Sequence, residues 1–140
     1  MPLSFGPMSF PLFLEEANIF RVPSLKEIQD FSRDAMACCP LKIQKTLKDT
    51  LISVENFAPA EVLKELRVKN KNELLGLYRI NDEPSKKREL VLYRVPLVLY
   101  SKTSCEPIFN VVARVTVYEI SHRTDCVALR KQWLDKIRKL

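Results

Sequence analysis

The chain has 140 residues, 46% apolar and 29% charged, with a formal charge of +6, the balance of an ordered globular protein of single-domain size. A chain of this length buries roughly 68–70% of its unfolded surface, so neither a metal nor a disulfide is needed for folding. Two glycines, Gly6 and Gly76, leave no phosphate-cradling loop, and the single histidine, His122, leaves a Ser-His-Asp triad without a supporting pattern.

In chain order, Met1 to Phe20 is apolar and carries Pro2, Pro7 and Pro11, but its first basic residue is Arg21, and Glu15 and Glu16 interrupt it. It has neither the basic start of a signal peptide nor the length of a membrane span. Residues 1–23 are therefore expected to be a peripheral segment of one domain covering 1–140. Ser24 and Glu27 have capping-box spacing, and Leu25, Ile28, Phe31 and Ala35 recur with helical period, which predicts a helix from Ser24 to Cys38 ended by Pro40.

Leu41 to Leu47 predicts a second, short helix. Leu51, Ile52, Val54 and Phe57 predict a strand, and Pro59 a helix start before Ala60 to Arg67. Two apolar runs, Glu73 to Ile80 and Glu89 to Tyr93, flank the turn-forming stretch Asn81 to Arg88 and read as antiparallel strands. Gly76 within the first run marks a bulge or a close approach to the backbone. Tyr78, Tyr93 and Tyr100, near Arg79, Arg94 and Lys102, are read as strand residues packing a sheet, because no RNA-binding signature accompanies them.

Ile108 to His122 is rich in β-branched residues, yet Ile108, Val111, Val112, Val115, Tyr118, Glu119 and His122 fall on one helical face, with Arg114 and Ser121 elsewhere. A helix is predicted here. A last amphipathic helix with Val127, Leu129, Trp133, Leu134 and Ile137 closes the chain. Its Arg130, Lys131, Lys136, Arg138 and Lys139 read as a solvated basic face. The four cysteines, Cys38, Cys39, Cys105 and Cys126, form no CxxC, and free thiols in the cytoplasm are expected.

Three segments carry a resemblance: Leu74-Leu75-Gly76-Leu77-Tyr78, then Leu92-Tyr93-Arg94-Val95-Pro96-Leu97, then Val117-Tyr118-Glu119-Ile120-Ser121-His122. In this order the chain resembles the minimal zincin-like metallopeptidase family of small bacterial proteins, which reads an LLGLY strand, an LYRxP strand end and an HExxHH helix. The resemblance spans about Leu25 to His122. It implies a bacterial protein with an α+β fold, in which a short mostly antiparallel or mixed sheet is packed by an N-terminal helix, a motif helix and a C-terminal helix.

Carried over residue by residue, the resemblance makes His122 a zinc ligand and Glu119 the general base, while Tyr118 stands where the first histidine belongs. The family's second adjacent histidine, its FG pair and its acidic residues are replaced by Arg123, Thr124, Asp125, Cys126, Val127 and Ala128. A catalytic zinc site uses three protein ligands and an open position, and without the ion water is too weak an acid for Glu119 to activate.

The motif therefore reads as degenerate and the protein as a weakly active or inactive pseudoenzyme with no cofactor, or with zinc if the site still functions. In place of the metal, a hydrogen-bonded cluster of Tyr118, His122 and Glu119 is expected. One alternative is an active zinc peptidase with non-standard ligands, for which Cys126, Cys105 and Asp125 are candidates. The other is a non-catalytic interaction module using the basic C-terminal helix or the apolar N-terminal segment. A protein or peptide is the expected partner, rather than a membrane or a nucleic acid.

Overall fold

The computed structural model describes residues 22–81 and 87–140. The segment expected to be peripheral lies outside them except for Val22 and Pro23; Pro23 is buried, and its carbonyl accepts from Arg94 Nε at 2.7 Å.

Helix α1, Leu25–Ala37, starts as its sequence requires: Ser24 Oγ accepts from the Glu27 amide and Glu27 Oε1 from the Ser24 amide, completing the capping box. Helix α2, Leu41–Leu47, and strand β1, Thr50–Glu55, follow. Helix α3, Ala60–Glu65, is shorter than expected, and Pro59 sits at its N-cap, one position before the first helical residue. Strands β2, Gly76–Asn81, and β3, Lys87–Tyr93, pair antiparallel, while β1 pairs parallel with β3, giving the order β1-β3-β2. The sheet is mixed and the fold is α+β.

Alternation along the central strand separates two cores. Leu90 and Leu92 join Ile28, Ile52, Tyr78, Val112, Val117, Ile120 and Trp133 in the main one, whereas Val91 and Tyr93 face Ala58, Val62 and Leu63 in the smaller.

Helix α4, Arg94–Ser104, departs from the sequence reading, which places no helix there and treats Tyr100 as a strand residue. Val95 precedes a proline, which ordinarily favours extended backbone. Pro96, however, occupies the first turn, where amide protons have no intrahelical acceptor, so its missing N–H removes nothing. The Val95 amide instead reaches the Asn56 carbonyl at 3.2 Å, tying the helix start to the end of β1.

Helix α5, Ile108–Arg123, forms despite its valines because burial outweighs propensity. Its buried face is not the expected one. Val111, Val112, Ala113, Thr116, Val117, Ile120 and Ser121 are buried, while Tyr118 is 45% exposed and His122 is exposed.

Two hydroxyls make this polar stripe affordable. Thr116 Oγ1 donates to the Val112 carbonyl at 2.8 Å and lies 2.8 Å from Ser32 Oγ, so Ser32 is the donor of that second bond, joining α1 to α5.

The end of α5 reverses the chain. The Cys126 amide bonds the Ser121 carbonyl at 2.8 Å, the Asp125 amide approaches that of His122 at 3.4 Å, and Asp125 has φ 57°. This is the left-handed helix stop that glycine usually fills and that aspartate tolerates. A short 3-10 turn, Val127–Leu129, with Val127 exposed, leads into helix α6, Arg130–Arg138, which is pinned by buried Trp133 and Ile137.

Candidate functional site

Gly76 lets α5 come close to β2. A Cβ there would meet Val115 Cγ1 at 3.0 Å, Leu92 Cδ2 at 3.1 Å and the Val91 carbonyl oxygen at 3.2 Å, so of the two sequence readings the close approach holds. That approach brings the motif residues to the strand. The Tyr93 amide donates to the Leu75 carbonyl, which fixes the antiparallel alternation and turns the backbone groups of Gly76, Tyr78 and Ile80 away from β3. The Tyr78 amide is met by Glu119 Oε1 at 3.2 Å.

Burial pushes the Glu119 carboxyl above the ordinary carboxylate range, against the Tyr78 amide and the more distant charges of Arg123, His122 and Arg130, which favour the ionised form. Because the folded state prefers the protonated acid, this group's contribution to stability is full below the ordinary carboxylate range. It is lost as the pH rises through the raised value. Glu119→Gln keeps an acceptor for Tyr78 and removes the charge. Thermal unfolding is expected to show the variant more stable than the parent at pH 7, with the difference closing as the pH falls. A variant less stable at every pH would contradict this.

Tyr118 is held by Arg130 rather than by His122. The Arg130 guanidinium carbon lies 4.4 Å from the Tyr118 ring centroid, its Nε donates to Ser121 Oγ at 2.7 Å, and Nη2 reaches the Tyr118 carbonyl at 3.5 Å. The expected Tyr118–His122–Glu119 cluster is thus replaced. No hydrogen bond links these three side chains among the described residues, because the carboxylate turns to the sheet and the phenol ring to α6. Arg130 was read from sequence as part of a solvated basic face or, in the alternative, of a docking helix, not as a partner of Tyr118. Its spacing of nine residues from Ser121 across a chain reversal carries no local signal.

These residues do not fit a zinc ion. Among the described residues no three of His, Cys, Asp and Glu come together to hold a metal. His122 makes no hydrogen bond there that would orient its ring, whereas a ligating imidazole normally has such a partner. The phenol of Tyr118 is a poor replacement for imidazole, the nitrogen ligand that zinc sites use. The thiol candidates complete no such group: Cys126 Sγ donates to the Thr124 carbonyl at 3.3 Å, and Cys105 is exposed at the end of α4.

Two clefts lie along the outer side of β2. One, of about 330 Å³, is bounded by Gly76, Tyr100, Val111, Val115, Tyr118 and Glu119, with Glu73 and Arg114 also contributing. The other, of about 460 Å³, is walled by Val62, Leu66, Leu77 and Ile80 and carries Glu65, Arg79 and Arg123. Arg114 is committed to Glu106 through two bonds, Nη1 to Oε2 at 2.6 Å and Nη2 to Oε1 at 2.9 Å. Arg79 is likewise held by Glu89 Oε1, through Nε at 3.1 Å and Nη2 at 2.9 Å.

With this geometry in view, the family model of zincin-like metallopeptidases matches residues 47–137, from the end of α2 through α6. The chain belongs to this family. The matched region of the zincin-like chain contains the whole sheet, the motif helix and the helix that supplies Arg130. No curated protein matches the chain. No helix among the described residues is long and apolar enough to cross a membrane.

Proposed function

We propose that this zincin-like protein is a bacterial, cytoplasmic pseudoenzyme that binds an extended peptide along the outer edge of β2 without zinc-dependent hydrolysis. One observation carries the reading: Tyr118, which the resemblance puts in the first-histidine position, has its ring under the Arg130 guanidinium. That ring is engaged in packing α6 and offers no imidazole for a metal.

Support for peptide binding comes from the strand edge. Gly76 and Ile80 turn their amide and carbonyl groups outward, as does the Tyr78 carbonyl, and no strand pairs with them among the described residues. An incoming strand gains affinity from such groups and specificity from flanking clefts. Free thiols at Cys38, Cys39, Cys105 and Cys126 accord with a reducing compartment.

The test is a peptide-cleavage assay on the full chain with and without added zinc. No turnover above background is expected, and Glu119→Ala should leave that background where it is. Zinc-stimulated cleavage that disappears in Glu119→Ala would establish instead the active peptidase with non-standard ligands.

A further inference from the structure

We propose that the cleft beside Gly76 receives a lysine or arginine side chain of the bound peptide, with Glu119 as its principal partner. The inference rests on the peptide-binding reading and names the class of peptide.

Of the two oxygens of Glu119, Oε1 is bound to the Tyr78 amide, whereas Oε2 makes no hydrogen bond among the described residues. The carboxylate is partly buried and has no ion-pair partner there. A desolvated carboxylate facing a cleft is the feature that a ligand cation would complement.

The other charges of the cleft sharpen the choice. Arg114 is neutralised by both oxygens of Glu106, so it does not answer Glu119. Glu73, exposed at the rim, is also without a cation among the described residues. The two uncommitted charges lining the cleft are therefore both negative. Arg123, His122 and Arg130 favour ionised Glu119 from outside this lining, and none is within ion-pair distance of it.

Shape agrees with charge. Val115 and the side chains of Tyr100 and Tyr118 form walls against which the methylene stem of a long basic side chain can lie, leaving its head to reach the carboxylate. A bare metal ion would find no such use for the aromatic walls and would lack further ligands.

The experiment is a positional-scanning library of immobilised decapeptides in which one position is fixed as lysine, arginine, norleucine or glutamate, probed with the labelled full-length protein. Lysine and arginine at one position are expected to exceed norleucine by about tenfold, the worth of one charge-assisted hydrogen bond. That ratio should fall to about one in Glu119→Gln, which retains an acceptor for the Tyr78 amide. Peptides that bind with equal preference for lysine and norleucine would overturn this inference and leave edge binding standing. Absence of binding by any peptide would overturn both. A lysine preference that survives in Glu119→Gln would remove Glu119 from the role.

Discussion

Trp133→Ala is expected to be the most damaging single substitution in α6, lowering stability by about 3–5 kcal/mol in urea unfolding followed by circular dichroism. Trp133 is fully buried, and its Nε1 donates to the Ala35 carbonyl at 2.8 Å, near the end of α1. The substitution removes the largest core side chain and leaves a cavity at the junction of α1, α5 and α6. Trp133→Phe should lose less, because the Ala35 carbonyl also accepts from the Cys38 amide at 3.2 Å and is not orphaned. With net stabilities of about 5–15 kcal/mol typical of domains, the alanine variant approaches the unfolding threshold. The site is affected too, since Arg130 reaches Tyr118 from the first turn of the helix that Trp133 anchors. Equal stability of Trp133→Ala and the parent would refute the placement of α6.

Gly76→Ala is expected to cost about 1–3 kcal/mol through overpacking. Of the three atoms its Cβ would crowd, Val115 Cγ1 and Leu92 Cδ2 belong to side chains that can shift, but the Val91 carbonyl is part of the central strand and cannot yield without disturbing the sheet. Relief comes by lifting α5, which lengthens the contact between Glu119 and the Tyr78 amide. Amide exchange at Tyr78 should therefore quicken more than at Leu90. Adding Val115→Ala should return part of the lost stability, a non-additive result expected of neighbours in contact. A fully additive double variant would show that the crowding lies elsewhere.

Much of the scaffold was legible because local chemistry and global fold agree in it. Ser24 and Glu27 satisfy each other's amides over a distance of three residues, and Gly76 is read as a bulge or a close approach, of which Val115 supplies the second. Family membership was legible from three short segments, all within the region the family model matches. Helix α4 was not, because Val95-Pro96 carries an extended-chain signal, and what overrides it is a bond to Asn56 from far back in the sequence.

The face of α5 was misread for a related reason. Thr116 and Ser121 look polar and outward in a hydropathy pattern, yet their hydroxyls engage Val112, Ser32 and Arg130, partners that no periodicity reveals. Tyr118 looks like core and is instead half outside, held by an arginine across a chain reversal. The motif residues Tyr118, Glu119 and His122 lie on α5 as expected, but their contacts depend on α6 returning over α5. Asp125 at a left-handed stop allows that return without advertising it.

In this zincin-like chain Tyr118 on the motif helix is held by Arg130, and we propose that no zinc is bound there. Elemental analysis of the purified full-length protein, dialysed against zinc and then against metal-free buffer, tests it most directly, with Tyr118→His measured alongside. The parent is expected to retain zinc far below one ion per chain, and the single reversion, with no third ligand at hand among the described residues, is not expected to reach stoichiometric binding. A tightly held stoichiometric zinc in the parent protein would contradict it.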